Sequence, residues 1–349
     1  MKTSSLIPLQ RFARNSALLV ILGAAVFLLK SRNITSWTQN YSRRSVRSAS
    51  KSVPPFQEFP YPTTCQFEHP PPGLGTNYEI ALFYHVGMVK NWENIVRDQL
   101  HTLQTCGLAY MTSSLTISYS NGHNNTDELV EILNEFDFTH SLKISFIQAI
   151  AEPWEAEVMA SIARTCQTHQ GDGSDDKKLI VYYLHNKGCS RYTDDWQDRW
   201  EDFLSYSKVL YWRKYMEWFL FERPTLCLRA ILNHGASTCG VNLHSFPLWH
   251  YSGNFWAASC DWIKTLPPTV VSTDYIAAEM WIGLEIPLLG PDDVNTTKHV
   301  SLFETGRKSL YVYRVLPDTY ALNEAKTQGR YSNIWLDYFA GVEEGSKIG

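Results

Sequence analysis

Between Tyr78 and Gly188 the sequence repeats one unit, an apolar run followed by an amphipathic stretch. That repetition narrows the folds open to the chain more than any other feature. "YEIALFYHVG" is apolar along most of its length and ends on glycine, which predicts a buried strand. "NWENIVRDQLHTL" follows at helical spacing, with Asn91 at the N-cap position. "SLTISYS" predicts a second strand. In "TDELVEILNEF", Leu129, Ile132, Leu133 and Phe136 fall on one helical face, with Thr126 as cap. "LKISFIQA" predicts a third strand, and "PWEAEVMASIARTCQ" a helix with Pro153 in its first turn. "LIVYYLHNKG", apolar on both faces, predicts a fourth strand. Such alternation implies an α/β fold of Rossmann type, a mostly parallel sheet flanked by helices. Ligands of such sheets bind at the carboxyl ends of the strands. This singles out His85, Gly87 and Met88 after the first strand, His185, Asn186 and Lys187 after the fourth, and the segment from His250 onward.

Farther along, "YWRKYMEWFLFERPTLCLRAIL" reads as helical, with Pro224 breaking or restarting it, and "STCGVN" as a short strand. "HYSGNFWAASCDW" then sets hydrogen-bonding groups directly against two large rings. Gly253 permits close approach, while His250, Ser252 and Asn254 offer hydrogen bonds. Phe255 and Trp256 supply either a flat platform or the root of a helix beginning in "AASCDWIKTL". On this reading Phe255 anchors the core, and Asn254 and Trp256 face a ligand. "VVSTDYIAAEMWIGLE" predicts a helix that starts near Thr273 or Asp274 and carries Glu279 in its first turns. A carboxylate facing a cleft there suits a general base. The same position also suits a surface glutamate that gains about 0.3–1 kcal/mol from the helix dipole.

Each motif carries its own chemistry. Gly87 lets the backbone turn tightly, and the free N–H groups of the helix after it suit an anion. Lys187 could neutralise a diphosphate, and His185 could ligate a metal or bond a substrate. Asp194, Asp198, Glu201 and Asp202 share a helical face, as a metal site or, more simply, as a solvated one. Asp172, Asp175 and Asp176 in "GDGSDDKK" read as a solvated loop.

Net charge is -4 and the pI about 6.3, and no basic stripe interleaves with aromatics, so nucleic acid is not an expected partner. At the N-terminus, Lys2, Arg11 and Arg14 precede an apolar run from Ala17 to Leu29 that Lys30 and Arg32 close. No small-residue cleavage site follows. This predicts an uncleaved signal anchor over 17–30, with a cytosolic tail over 1–16 and the rest in the secretory lumen. Residues 31–75, rich in Ser, Arg and Pro, predict an extended stem. A lumenal domain over 76–325 and a tail over 326–349 complete the chain. Asn33, Asn40, Asn124 and Asn295 begin glycosylation triplets, of which Asn40, Asn124 and Asn295 are the expected acceptors. Seven cysteines, none in a C-x-x-C pair, allow three disulfides and one free thiol in an oxidising lumen, with pairing undetermined by spacing.

The succession "YLHNKGCS", "WRKYMEWFL", "TCGVN", "HYSGNFWAASCDWIKTLP" and "AAEMWIG" resembles a group of largely uncharacterised glycosyltransferases from bacteria and algae. The resemblance runs from about Leu179 to Gly283, and H-x-S-G-N-F-W is its most specific part. It implies a GT-A-like fold that moves a sugar from a nucleotide-diphospho-sugar donor to a carbohydrate-bearing acceptor. Carried over by position, it implies that His185 and Lys187 lie near the donor diphosphate; the strand-end reading adds His85, Gly87 and Asn186 on the donor side. It implies an acceptor wall of His250, Ser252, Gly253, Asn254, Phe255 and Trp256, with Glu279 as base. The N-terminal anchor, for its part, predicts a single-pass type II Golgi or ER membrane protein. Ala257 stands where the group often has a second tryptophan. The Asp-x-Asp that usually holds manganese or magnesium is replaced by His185-Asn186-Lys187. That replacement keeps two alternatives open, a non-catalytic membrane-anchored carbohydrate-binding protein and, behind it, a glycoside hydrolase.

Overall fold

The computed structural model describes residues 65, 74–120, 126–150, 154–169, 177–191, 206–245, 248–269, 276–287 and 298–302. The anchor, the stem apart from residues 65, 74 and 75, the three expected acceptor asparagines, the acidic stretches at 172–176 and 194–202, and Thr273 and Asp274 lie outside them. No helix among the described residues is long and apolar enough to cross a membrane.

The predicted strand and helix units form in order. β1 (Tyr78–Gly87) is followed by α1 (Trp92–Thr105), the short α2 (Leu108–Met111) and β2 (Thr112–Ser120). Then come α3 (Asp127–Asn134), β3 (Lys143–Gln148), α4 (Glu155–Thr168) and β4 (Lys178–His185). These four strands are mutually parallel, in the order β3-β2-β1-β4. The reason is local: β1 and β4 are too apolar to face water, and each crossover helix has one apolar face to lay over the sheet, while β3 at the edge stays largely exposed. Leu129, Ile132, Leu133 and Phe136 are all buried, as their spacing requires. Neither Asn91 nor Thr126 makes the expected side-chain cap bond. Asn91 Oδ1 instead accepts from Asn94 Nδ2 at 2.5 Å.

The other half of the sheet departs from the simple pattern. α5 (Tyr206–Leu220) and α6 (Pro224–Leu232) are separate helices, with Pro224 restarting the second at its first turn. β5 (Thr238–Gly240), the two-residue pair β6 (Leu243–His244) and β7 (His250–Tyr251), and β8 (Trp256–Ser259) follow. β8 lies between β4 and β5, antiparallel to both, and β9 (His299–Ser301) closes the order β3-β2-β1-β4-β8-β5-β9. "WAAS" is therefore a central strand and not the start of a helix; only α7 (Cys260–Ile263) is helical, with Ser259 Oγ capping Trp262 N. Strand alternation answers why two rings stand side by side. Phe255 packs into the core under α1, α5 and α6, and Trp256 into the opposite core under α4. The helix at Glu279 is also shorter than expected, α8 (Ala277–Met280) followed by a single tighter turn, Trp281–Gly283.

Three disulfides tie these elements together. Cys65 joins Cys106 after α1, Cys166 of α4 joins Cys260 of α7, and Cys227 of α6 joins Cys239 of β5. Cys189 is a buried free thiol whose pKa burial pushes up to about 11.

Candidate functional site

Several polar side chains gather at the carboxyl ends of β1 and β4, on the face covered by α4. His85 and His185 are register partners on adjacent strands. Glu155, the first residue of α4, reaches over them. Its Oε2 accepts from Tyr183 Oη at 2.6 Å and from Asn254 Nδ2 at 2.7 Å, and its Oε1 lies 3.3 Å from His185 Nδ1. His185 Nε2 lies 3.0 Å from the carbonyl oxygen of Gly253. A carbonyl only accepts, so Nε2 carries a proton in this geometry. Burial alone would push the Glu155 carboxyl up. The charges of the two histidines and the bonds from His185 and Tyr183 outweigh it and hold the group below the usual carboxylate range. Burial lowers His85 to about 4, Glu155 opposing and His185 adding to it, so His85 is neutral at pH 7. Its Nδ1 shares a proton with Ser118 Oγ at 3.2 Å.

The turn after β7 links this cluster to Glu279. Gly253 and Asn254 are both left-handed, with φ of 91° and 58°. Glycine adopts that region freely and asparagine tolerates it. A Cβ at Gly253 would overlap Met216 and Trp212 of α5, so the position takes no side chain. The Gly253 N–H donates to Glu279 Oε1 at 2.6 Å. Glu279 is held close because Gly283, one turn on, packs against the Trp249 backbone where a Cβ would collide. The other oxygen of Glu279 makes no hydrogen bond to a described residue. Beside it the rings of His244 and His250 lie 5.8 Å apart. Burial and then His250 lower the pKa of His244, against the pull of Glu279.

Several sequence expectations need correction here. Residues 250–256 are buried throughout, so the stretch is packing and not an acceptor wall. Trp256 has no exposed surface: it packs on Tyr183 and Trp281, and its Nε1 donates to Asn254 Oδ1 at 2.9 Å. Both ends of the Asn254 amide are thereby committed inside the protein. Ser252 is likewise buried, and His250 Nδ1 bonds the Leu248 carbonyl at 2.8 Å. Gly87 is not in a left-handed conformation, and a Cβ there would meet only ordinary contacts. Its N–H and C=O are held by the Asn186 amide at 2.8 and 3.0 Å, so these two residues fasten strand ends. Lys187, half-buried, sits with Nζ 4.2 Å above the Trp212 ring.

His185 is not a free metal ligand, since both its nitrogens face protein acceptors. Among the described residues no three His, Cys, Asp or Glu side chains converge as ligands of a metal would. These described residues do not fit a manganese or magnesium ion. Glu155 and His244 were missed in the sequence. Glu155 could have been found by applying the strand-end rule to β3 as it was applied to β1 and β4; its place in "PWEAE" opens the helix that follows.

A likeness to a solved structure exists but is slight. The crystal structure of 4-diphosphocytidyl-2C-methyl-D-erythritol synthase from Anaerococcus prevotii aligns over 72% of this chain and 100% of that one, at 9% identity and a TM-score of 0.32. A score that low carries no argument. No curated protein matches the sequence. A family model described as a domain of unknown function, DUF8361, matches residues 83–282, from the middle of β1 to the turn after Glu279, and the chain belongs to that family.

Proposed function

We propose that this protein is a glycosyltransferase of the GT-A type that moves a sugar from a nucleotide-diphospho-sugar to an acceptor hydroxyl on a glycan, glycoprotein or glycolipid. The observation that carries the reading is Glu279. One of its oxygens is fixed by the Gly253 N–H at the carboxyl edge of a mostly parallel sheet, and the other bonds no described residue. A general base needs a held carboxylate with one free oxygen in reach of the hydroxyl. The acceptor oxygen attacks the anomeric carbon, its proton passes to Glu279 Oε2, and the bond to the donor phosphate breaks. The electron pair leaves with the nucleoside diphosphate. Lys187, after β4, supplies a positive charge for that diphosphate. With residues 250–256 buried, the acceptor approaches along the half-buried His244.

Three disulfides support a lumenal, oxidising location, consistent with a type II Golgi or ER membrane protein anchored over 17–30. The full chain, assayed against a panel of nucleotide sugars with and without divalent metal, tests the reading. Transfer is expected, and Glu279→Gln should lower its rate by about 10²–10⁴-fold. Undiminished transfer by Glu279→Gln would remove the base assignment. The presence of His185-Asn186-Lys187 where an Asp-x-Asp usually holds the metal favours a second reading, a non-catalytic membrane-anchored carbohydrate-binding protein. Glycan binding by calorimetry without affinity for any donor would select it.

A further inference from the structure

Glu155 lies one residue removed from the reacting groups, yet it is the point where three elements meet. α4 supplies it, β4 supplies Tyr183 and His185, and the turn before β8 supplies Asn254 and Gly253. Indole Nε1 of Trp256 can only donate, so Asn254 Oδ1 must face it and Nδ2 must face Glu155. The amide is thus oriented from both sides. Gly253 is gripped twice as well: its C=O by His185 Nε2, itself turned by Glu155, and its N–H by Glu279. The turn is closed by one backbone bond, Asn254 N–H to the Tyr251 carbonyl at 2.9 Å, and the Gly253 N–H and C=O inside it are held by side chains alone.

We propose that Glu155 is a positioning residue which, through Asn254 and His185, sets the Gly253 turn and so the placement of Glu279. The role of Glu279 rests on the glycosyltransferase reading; the coupling of Glu155 to it does not. Other charged or titratable groups about the pair are His85 from β1 and Tyr183 from β4, with His244 and His250 on the far side of Glu279. Glu155→Gln puts an amide where a carboxylate stood, and its single oxygen cannot accept from Tyr183, Asn254 and His185 together. Glu155→Gln combined with Asn254→Asp reverses one bond and restores it: the new amide donates to the new carboxylate. Trp256 keeps its acceptor, and aspartate also tolerates a left-handed backbone.

The test has a readout that needs no substrate. Ser252-Gly253 is the only Ser-Gly step in the sequence, so labelling serine carbonyl carbon and glycine nitrogen isolates the Gly253 amide in the full-length chain. Its proton, in a short charge-assisted bond, should resonate far downfield. Glu279→Gln should move it upfield. Glu155→Gln should move it the same way by less, and the reversed pair should return it. An amide unmoved by Glu155→Gln, in protein whose other glycine resonances are unchanged, overturns the coupling whether or not the chain transfers sugar. Where transfer is measurable, Glu155→Gln should lower kcat by about ten-fold with KM held, and should add nothing to Glu279→Gln. Additive losses in the double variant would also overturn it.

Discussion

Two charged clusters lie on opposite faces of the sheet, and both touch His185. Under α1 and α5, Glu217 accepts from Gln99 Nε2 at 2.8 Å and lies 3.2 Å from Arg213 and 3.1 Å from Lys214. Asp98 takes the other ends of both cations, and Gln99 also donates to the His185 carbonyl. Under α4, Glu155 faces His185, Tyr183 and Asn254. The centre of the first cluster is sealed, with Glu217 and Arg213 side chains 0% and 1% exposed, while Asp98 at its rim is 21% exposed. In the second, Glu155 retains 18% exposure, and a chain of bonds leads from it to Glu279, whose second oxygen bonds no described residue. Charges removed from water must satisfy one another and become scaffold. Charges at a strand edge can be held on one side and left open on the other, which is what chemistry needs.

That contrast can be broken by variants. The largest effect should come from the sealed cluster. Glu217→Leu strands two buried cations beside one carboxylate, and urea unfolding should show a loss of about 3–5 kcal/mol. Next comes acid. His85 titrates near 6.5 when unfolded and near 4 when folded, so the unfolded chain binds the proton first. Stability is complete above pH 6.5 and falls as pH drops from there toward 4. Through His85 alone it falls by about 3 kcal/mol. His299, lowered to about 4 by burial and then by Lys298, adds a slope of the same sign. Glu155, held below its ordinary 4.5, contributes stability that is lost only below that value. Unfolding midpoints against pH should flatten between 6.5 and 4 in His85→Gln; an unchanged slope would refute the assignment. Tyr183→Phe removes one bond to a charged acceptor and should cost about 1.5–3 kcal/mol by the same measurement. At the surface, Arg97 makes a forked pair with Glu135, both substantially exposed. Arg97→Ala should cost no more than about 1 kcal/mol, and that little should vanish in high salt.

The parallel half of the sheet was legible because its signals are local. Leu129, Ile132, Leu133 and Phe136 declare a helix by spacing alone, and "LIVYYLH" declares a buried strand. The antiparallel half was not. "WAAS" has four residues, too few for periodicity to separate a strand from a helix start, and only pairing with Val181 and Cys239 decides it. The same ambiguity misassigned Trp256 as a ligand platform: its two adjacent rings signalled burial on two faces, not exposure on one.

By itself, the sequence determined the order of strands and helices in the first half. It also singled out the two segments, His250–Trp256 and Ala277–Gly283, that carry the Gly253–Glu279 contact. The tertiary structure alone decided that Glu155 reaches across to His185 and Asn254, that Asn254 and Trp256 brace each other, and which cysteines pair. Periodicity reports what each short segment must bury. It says nothing about which segments, 26 or 99 residues apart, come within hydrogen-bonding distance. That is fixed only when the two cores close around the sheet.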